Sequence, residues 1–494
     1  MTNLTSALRH AIAAAAALGA MAAAPASANI AVTQVSNDTF TNGSSQHATQ
    51  VEPDTFSYGG TTVAAFQTGR FFDGGGSDIG WATRDSHGHW STGSLPGMTL
   101  FSNPVTSTFE RVSDATVAYD AKDGVWLISS IPITASINTP TVFVNRSTDG
   151  GATWSNPVSI PPPSVSAGKV DLDKNWTVCD NSPSSPFYGN CYTEFDNFGQ
   201  NDLEYMSTST DGGATWQTPV AVTGQPQGLG GQPLVQPNGT VIVPFEALNG
   251  KISAFSSTDG GASWNRPVVI DSVKSHAVAG GLRTSPLPSA EIDGAGNVYV
   301  AWQDCRFRKH CSANDIVFSK SPDGLSWSTT ARIPIDSVTS GADHFIPGIA
   351  VDPATSGASA HVALTYYFYP DAACTVATCQ LQAATISSPD GGASWGGKDT
   401  IGGSMSLSQI ADTSQGPMVG DYISTSFLDD GTYTTLVAIG KTPTGAAAFD
   451  EAMYAPSRSL SVATSGLAPS GTSGAAKNIT GQGTGETHHA LRSN

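Results

Sequence analysis

Apolar and polar residues alternate with a period of two along much of this chain, as in TVFVNR, LEYMSTS, KISAFSS, DIVFSK and LQAATIS. That period predicts β-strands with one face turned to a core. Each of these runs leads into one short motif. STDGGATW stands at Ser147–Trp154 and again at Ser209–Trp216, STDGGASW at Ser257–Trp264, and SPDGGASW at Ser388–Trp395. SPDGLSW at Ser321–Trp327 is a shorter variant, and TRDSHGHW at Thr83–Trp90 a worn copy. The motif has the chemistry of a turn: the Asp side chain accepts backbone N–H groups, Gly supplies a positive φ, and Trp buries a large apolar surface beside the bend. Further strand-like runs follow it (NPVSI, TPVAV, RPVVI, ARIPI), so the motif joins two antiparallel strands.

A second pattern places a polar, often Gly-containing turn before a hydrophobic strand. It occurs as GGTTVAAF, KDGVWLIS, YGNCYTEF, PNGTVIVPF, GAGNVYVAW, SGASAHVALTYY and DDGTYTTLVAI. Together the patterns read strand, turn, strand, loop, strand, motif, strand, recurring about every 50–65 residues. That predicts an all-β fold, a β-propeller of four-stranded blades. The second pattern has one copy more than the first, so the last unit, about residues 416–460, lacks an outer strand of its own. The stretch IAVTQV at Ile30–Val35 can supply it, which favours seven blades, six being the alternative.

The ends read differently. Residues 1–28 carry an early Arg9, an Ala-rich run and Ala26-Ser27-Ala28, the pattern of a secretory signal peptide. Residues 29–460 form the single predicted propeller domain. Residues 461–494 are rich in Ser, Thr, Gly and Ala, and are expected to be a disordered tail. Only 13% of residues are charged, with a formal net charge of −18. Such a surface lacks the basic footprint of a nucleic-acid binder, and no run after the signal is long and apolar enough to span a membrane. A secreted monomer is expected. Six cysteines fall into close pairs, Cys179 with Cys191, Cys305 with Cys311, and Cys374 with Cys379. These read as local disulfides of an exported chain. No cofactor is required. Asp171, Asp173 and Asp180 make one segment oxygen-rich enough for a structural Ca²⁺ ion, and no other metal site is expected.

The repeated turns resemble the Asp boxes, or BNR repeats, of the sialidase superfamily, and the resemblance extends over nearly the whole chain after the signal. It implies a propeller acting on terminal sugars of glycans, with carbohydrate or glycoconjugate as partner, and a site at the mouth opposite the boxes. AAFQTGRFFDGGGSDIGWA is similar to the family's arginine and acid/base element, placing Arg70 as a substrate-binding residue and Asp73 as the acid, with Asp78 the runner-up. GDYISTSFLDDG resembles the element of the family's tyrosine nucleophile and places Tyr422 there; Arg283 is the best counterpart of a further arginine.

Several positions depart from the family. Gln50-Val51-Glu52-Pro53 stands where an Arg-Ile-Pro element belongs and has no arginine. Arg332-Ile333-Pro334 follows a box and reads as an outer strand. Gly230 stands where the family has a catalytic Glu, and Glu246 where it has an arginine. Glu246 joins Asp73 as a candidate catalytic carboxyl, since hydrolysis of an ordinary glycoside asks for two acids. Asp304, Arg306 and Tyr367 complete the expected substrate-binding set. The reading is a sialidase-like glycoside hydrolase; the alternative is a propeller that binds glycan or protein without catalysis.

Overall fold

The computed structural model describes residues 29–165, 168–444 and 447–466, so the predicted signal peptide and most of the predicted tail lie outside the described residues. Strands dominate, joined by turns and short 3-10 segments. They form antiparallel meanders, each beginning with an inner strand. The first comprises Gln50–Tyr58, Thr61–Arg70, Gly76–Arg84 and Trp90–Ser94. The second comprises Arg111–Asp120, Val125–Ile133, Phe143–Ser147 and Val158–Ser159, joined to the first by one pair, Gly76 opposite Val112. The third runs through Leu172–Cys179, Cys191–Asn197, Leu203–Ser209 and Val220–Ala221.

In the fourth the inner strand is split into Gly228–Leu229 and Leu234–Val235, followed by Val241–Ala247, Lys251–Ser257 and Val268–Ser272. The fifth is Ser289–Ile292, Val298–Asp304, Asp315–Ser321 and Ala331–Arg332, which puts the Arg332-Ile333-Pro334 string at an outer strand as expected. The sixth is Asp343–Val351, Val362–Tyr369, Leu381–Ser388 and Asp399–Met405. The last has Ser424–Phe427, Tyr433–Gly440 and Glu451–Pro456.

The first described residues complete this last sheet. Val32–Gln34 runs antiparallel to Glu451–Pro456, with Thr33 opposite Ala455. Just before it, Asn29–Ile30 adds a parallel strand to the edge of the sixth sheet. Inner strands of successive sheets touch in chain order, and that of the last touches that of the first, so they form a circuit. Residues around 460 also pack: Leu460 pairs with Tyr433, and the Ala463 N–H donates to Ser387 Oγ at 2.9 Å.

The repeated turns share one geometry. In the copy at Ser257, the Gly261 N–H donates to Ser257 Oγ at 3.0 Å and the Ser257 hydroxyl to Asp259 at 2.8 Å. Asp259 also accepts the Ser263 N–H at 2.9 Å and the Ser263 hydroxyl at 2.5 Å. The same bonds recur around Asp149, Asp211 and Asp390. Trp216, Trp264 and Trp395 are buried beside these bends. Each second glycine packs against the preceding sheet: a Cβ on Gly151 would lie 2.9 Å from Val63, one on Gly213 2.8 Å from Leu127. The bends thus clip neighbouring sheets together.

All three expected disulfides are formed. Cys179 bonds to Cys191, joining the inner and second strands of the third sheet where these two residues stand opposite each other. Cys305 bonds to Cys311 and closes the loop after strand Val298–Asp304. Cys374 bonds to Cys379 and closes the loop between strands Val362–Tyr369 and Leu381–Ser388. Among the bends, removing one acceptor by Asp259→Ala should cost about 1 kcal/mol, as loss of a helix cap does. The check is a lower urea midpoint with the slope of the transition unchanged.

Candidate functional site

Three consecutive inner strands share an irregularity that no hydrophobic pattern signals. Each slips register by a bulge: between Val51 and Asp54, between Ser113 and Thr116, and between Asp173 and Trp176. In each bulge one residue is left-handed, Glu52 at φ 57°, Asp114 at φ 53° and Lys174 at φ 44°. A non-glycine residue there costs roughly 1–3 kcal/mol, and a bulge re-aims the side chain it carries. All three line one pocket at the axis, so the strain falls where charged groups converge. The sixth inner strand has the same bulge with an apolar residue, Ile346 at φ 51°.

This pocket, about 100 Å³, is walled by Glu52, Arg70, Asp73, Asp114, Asp173, Lys174, Asp202, Arg283 and Asp421, with apolar Ile131, Ile133 and Leu287. It lies where second strands end, away from the repeated turns, which share the other end of the sheets with the inner hairpins. Arg283 grips Asp421 through both carboxylate oxygens, its Nε donating to Oδ1 at 2.8 Å. Burial alone would lower the Arg283 guanidinium's pKa, but Asp421, with Glu52 and Asp114, outweighs it and the net shift is upward. Arg70 is buried, donates through one terminal nitrogen to Gln67 Oε1 at 2.8 Å, and leaves its Nε without a partner. Burial, reinforced by the nearby Arg283 charge, lowers its pKa.

Glu52 sits among these groups. Gln67 donates to its carboxyl, and the Asp421 N–H lies 3.3 Å from Oε1. Burial first, then the charges of Asp114 and Asp421, push its pKa up to about 8 against the pull of Arg283 and Arg70. The pocket therefore holds a carboxylic acid that keeps its proton at neutral pH. Gly420 makes this approach possible: with φ 143°, a Cβ on it would come 2.9 Å from the Glu52 backbone.

Of the residues expected from sequence, Arg70, Asp73 and Arg283 line the pocket. Asp73 is paired with Arg111, and its side chain is 44% exposed, so it stands at the rim. Tyr422 is buried against Trp176, ring centroids 5.4 Å apart, and its hydroxyl donates to the Ala115 carbonyl at 3.2 Å. Burial and the neighbouring carboxylates push that phenol's pKa well up, the reverse of an activated nucleophile.

Glu246, Asp304, Arg306 and Tyr367 are not among the pocket's lining residues. Glu246 pairs across strands with Leu229 and Ile252, and burial raises its pKa to about 7. Arg306 binds Asp304 and Asp271. Tyr367 is core, its hydroxyl on the Ala438 carbonyl at 2.9 Å. Asp78 is buried and accepts the Ser102 hydroxyl at 2.6 Å. Neither the loop closed by Cys305 and Cys311 nor the one closed by Cys374 and Cys379 contributes a lining residue, so these bridges brace segments away from the pocket. Strand Leu172–Cys179 separates Asp171 from Asp180, so those acids and Asp173 do not share one ion site. Elsewhere Asp315, Asp336 and His344 cluster closely enough to hold a metal ion, but Arg308 and Arg332 already bind both carboxylates.

Glu52, Asp114 and Lys174 carry the site and were not picked out from sequence. The available signal was a charged residue near the start of each of three inner strands.

No family model matches the chain, and no curated protein matches it in sequence. Solved structures similar to it include an ulvan lyase bound to -[GlcA(1-4)Rha3S]-, at 12% identity and TM-score 0.49, covering 86% of this chain and 95% of that one. A protein of unknown function from Dyadobacter fermentans is 16% identical, with TM-score 0.46, covering 72% of this chain and 99% of that one. The NanB sialidase from Streptococcus pneumoniae is 13% identical, with TM-score 0.42, covering 86% of this chain and 70% of that one. Among the described residues no helix is long and apolar enough to cross a membrane.

The buried and half-buried acids give a pH dependence of stability. Glu52, Asp78 and Glu291 are raised to about 8 and Asp54 to about 7, each chiefly by burial, from ordinary values near 4. A carboxyl raised in the folded state stabilises it fully below the unfolded pKa and loses that contribution as pH climbs through the folded value. The melting temperature should therefore fall steadily between pH 5 and pH 9. Glu52→Gln, which has no proton to lose, should flatten that fall; scanning calorimetry across the range checks both.

Proposed function

We propose that the circuit of four-stranded sheets is a seven-bladed propeller and that the chain is a secreted glycoside hydrolase acting on terminal sugars of glycans. The observation carrying this reading is Glu52, a buried carboxyl raised to about 8 and held in a strained bulge beside a second acid, Asp114. Hydrolysis of a glycoside needs one carboxylic acid that keeps its proton for the leaving oxygen and one carboxylate facing the anomeric carbon. Glu52 takes the first role: its O–H protonates the glycosidic oxygen as the bond to the sugar breaks. Asp114 takes the second, and Glu52, as the conjugate base, then accepts a proton from the attacking water. Arg70 and the Arg283–Asp421 pair hold sugar hydroxyls. Asp73 borders the mouth, and Lys174, resting on the buried Tyr422 ring, forms the floor.

The charge balance bears on the substrate. Glu52, Asp73, Asp114, Asp173, Asp202 and Asp421 face only Arg70, Lys174 and Arg283 as cations in the pocket wall. An acidic sugar would bring its carboxylate to a surface already short of positive charge, so a neutral terminal sugar fits better than a sialoside. The narrowness of the pocket suits a single chain-end residue, and it also favours the second reading, a propeller that binds a glycan end without cleaving it.

Aryl-glycosides of neutral sugars and of sialic acid, assayed with the secreted protein, separate these readings. Hydrolysis of a neutral glycoside is expected, with the rate falling above about pH 8 as Glu52 loses its proton. Glu52→Gln should lower kcat by about 10²–10⁴, while Tyr422→Phe should leave kcat within a few-fold. Binding without turnover would establish the second reading. Preferential cleavage of the sialoside would overturn the charge argument.

A further inference from the structure

Below the charged pocket the axis widens into a second chamber of about 400 Å³, which none of the catalytic chemistry above uses. All the inner strands contribute to its wall, and it opens toward the end that carries the repeated turns. Trp176 marks its upper limit, under Lys174 and Tyr422. Its size falls within the range of small-ligand pockets, about 300–1,000 Å³, whereas the upper pocket is smaller than that range.

The lining has a consistent chemistry. Among the described residues no Lys, Arg or His borders the chamber, so an anionic ligand finds no counter-charge. Tyr58 and Tyr119 meet at its rim with ring centroids 4.5 Å apart, and Tyr119 packs in turn on Trp126 at 4.7 Å. Tyr58 is 40% exposed, which leaves part of this aromatic step open to a ligand. Asn181 fixes the step, donating to the Tyr119 carbonyl at 2.9 Å and accepting the Ala121 N–H at 2.8 Å. Deeper in, Asp54 accepts the Val117 N–H at 2.7 Å and lies near the carboxyl of Glu291. Burial raises both acids, so near neutral pH they present hydroxyl donors as well as acceptors. A wall of aromatic faces, hydrogen-bonding groups and acids, Asp293 among them, without a cation, matches the alternating C–H faces and hydroxyls of a neutral sugar.

We propose that this lower chamber is a second, non-catalytic binding site for a neutral saccharide of one or two rings, entered past Tyr58 and Tyr119. It does not rest on the hydrolase reading, because it uses none of the upper pocket's groups. The test is saturation-transfer NMR and calorimetry on the whole secreted protein at pH 6. The probes are the methyl glycosides of glucose, galactose and mannose, with maltose and lactose, and spermidine as a cationic comparator. At least one neutral probe should bind. Its affinity should fall by roughly tenfold in Tyr58→Ala and in Glu291→Gln, and stay unchanged in Glu52→Gln. Glu291→Gln keeps the side chain's shape, so it serves as the test if Tyr58→Ala misfolds. Failure of every neutral probe to bind, binding of spermidine alone, or neutral-sugar binding lost in Glu52→Gln but kept in Glu291→Gln would each overturn the proposal. Loss of hydrolysis in Glu52→Gln with lower-chamber binding intact would separate the two sites directly.

Discussion

The short ladder between Val32–Gln34 and Glu451–Pro456 is the constraint on which the rest of the molecule depends. It ties the first described residues to the last sheet, and so seats the last inner strand against the first. Without that contact Gly420 would not press against Glu52, nor would the Asp421 N–H reach the Glu52 carboxyl. The pocket is built across the seam of the circuit. Glu52, Arg70 and Asp73 come from the first sheet, Asp421 from the approach to the last, and Arg283 from the loop before the fifth. Closing a loop of this length costs entropy that grows only slowly with length. A short strand pair backed by buried Met453 and Ala455 can therefore hold the ends together.

Charge then decides what the seam can do. Two arginines and a lysine in a buried pocket would, in water-like surroundings, leave every nearby carboxyl ionised. Here burial dominates at Glu52, and the neighbouring acids add to it, so one carboxyl stays protonated while Asp421 is held as the arginine's partner. The bulges make this arrangement possible. A regular strand would send Glu52, Asp114 and Lys174 to alternate faces of their sheets; an extra residue in each turns them into the axis at backbone cost.

The architecture was legible because its signals are local and repeated. A Ser, an Asp, two glycines and a Trp at fixed spacing specify one bend, and the bend specifies which strands neighbour one another. The need for a borrowed outer strand could be read in the same way, from counting turns, and IAVTQV was the right segment to look at, although its first residues pair with the sixth sheet. Arg70, Asp73 and Arg283 were found because the family resemblance pointed to them; Arg70 ends a second strand with Asp73 just past it, Arg283 precedes an inner strand, and both places lead to the axis. Glu246 was misleading: it ends a second strand too, but the fourth inner strand is split at Gly230, and Leu229 rather than Glu246 faces the pocket. Glu52, Asp114 and Lys174 could not be read from alternation, since a bulge breaks the period that alternation relies on. The stretch Val51-Glu52-Pro53 was noticed for lacking an arginine; what mattered was the acid standing in its place.

Lys174 explains why the axis is two chambers and not one bore. Its ammonium makes no hydrogen bond and is buried, a state that ordinarily costs several kcal/mol. It is retained because it lies 3.6 Å over the Tyr422 ring and 4.7 Å over Trp176, where each aromatic face contributes about 0.5–2 kcal/mol. The three side chains together make a plug that no single one could form. An unstacked lysine would seek water along the axis, and without the ammonium the two rings would have less to hold them edge to face. The plug separates the pocket of mixed charge above from the cation-free chamber below, which is why one axis can offer two surfaces of different chemistry.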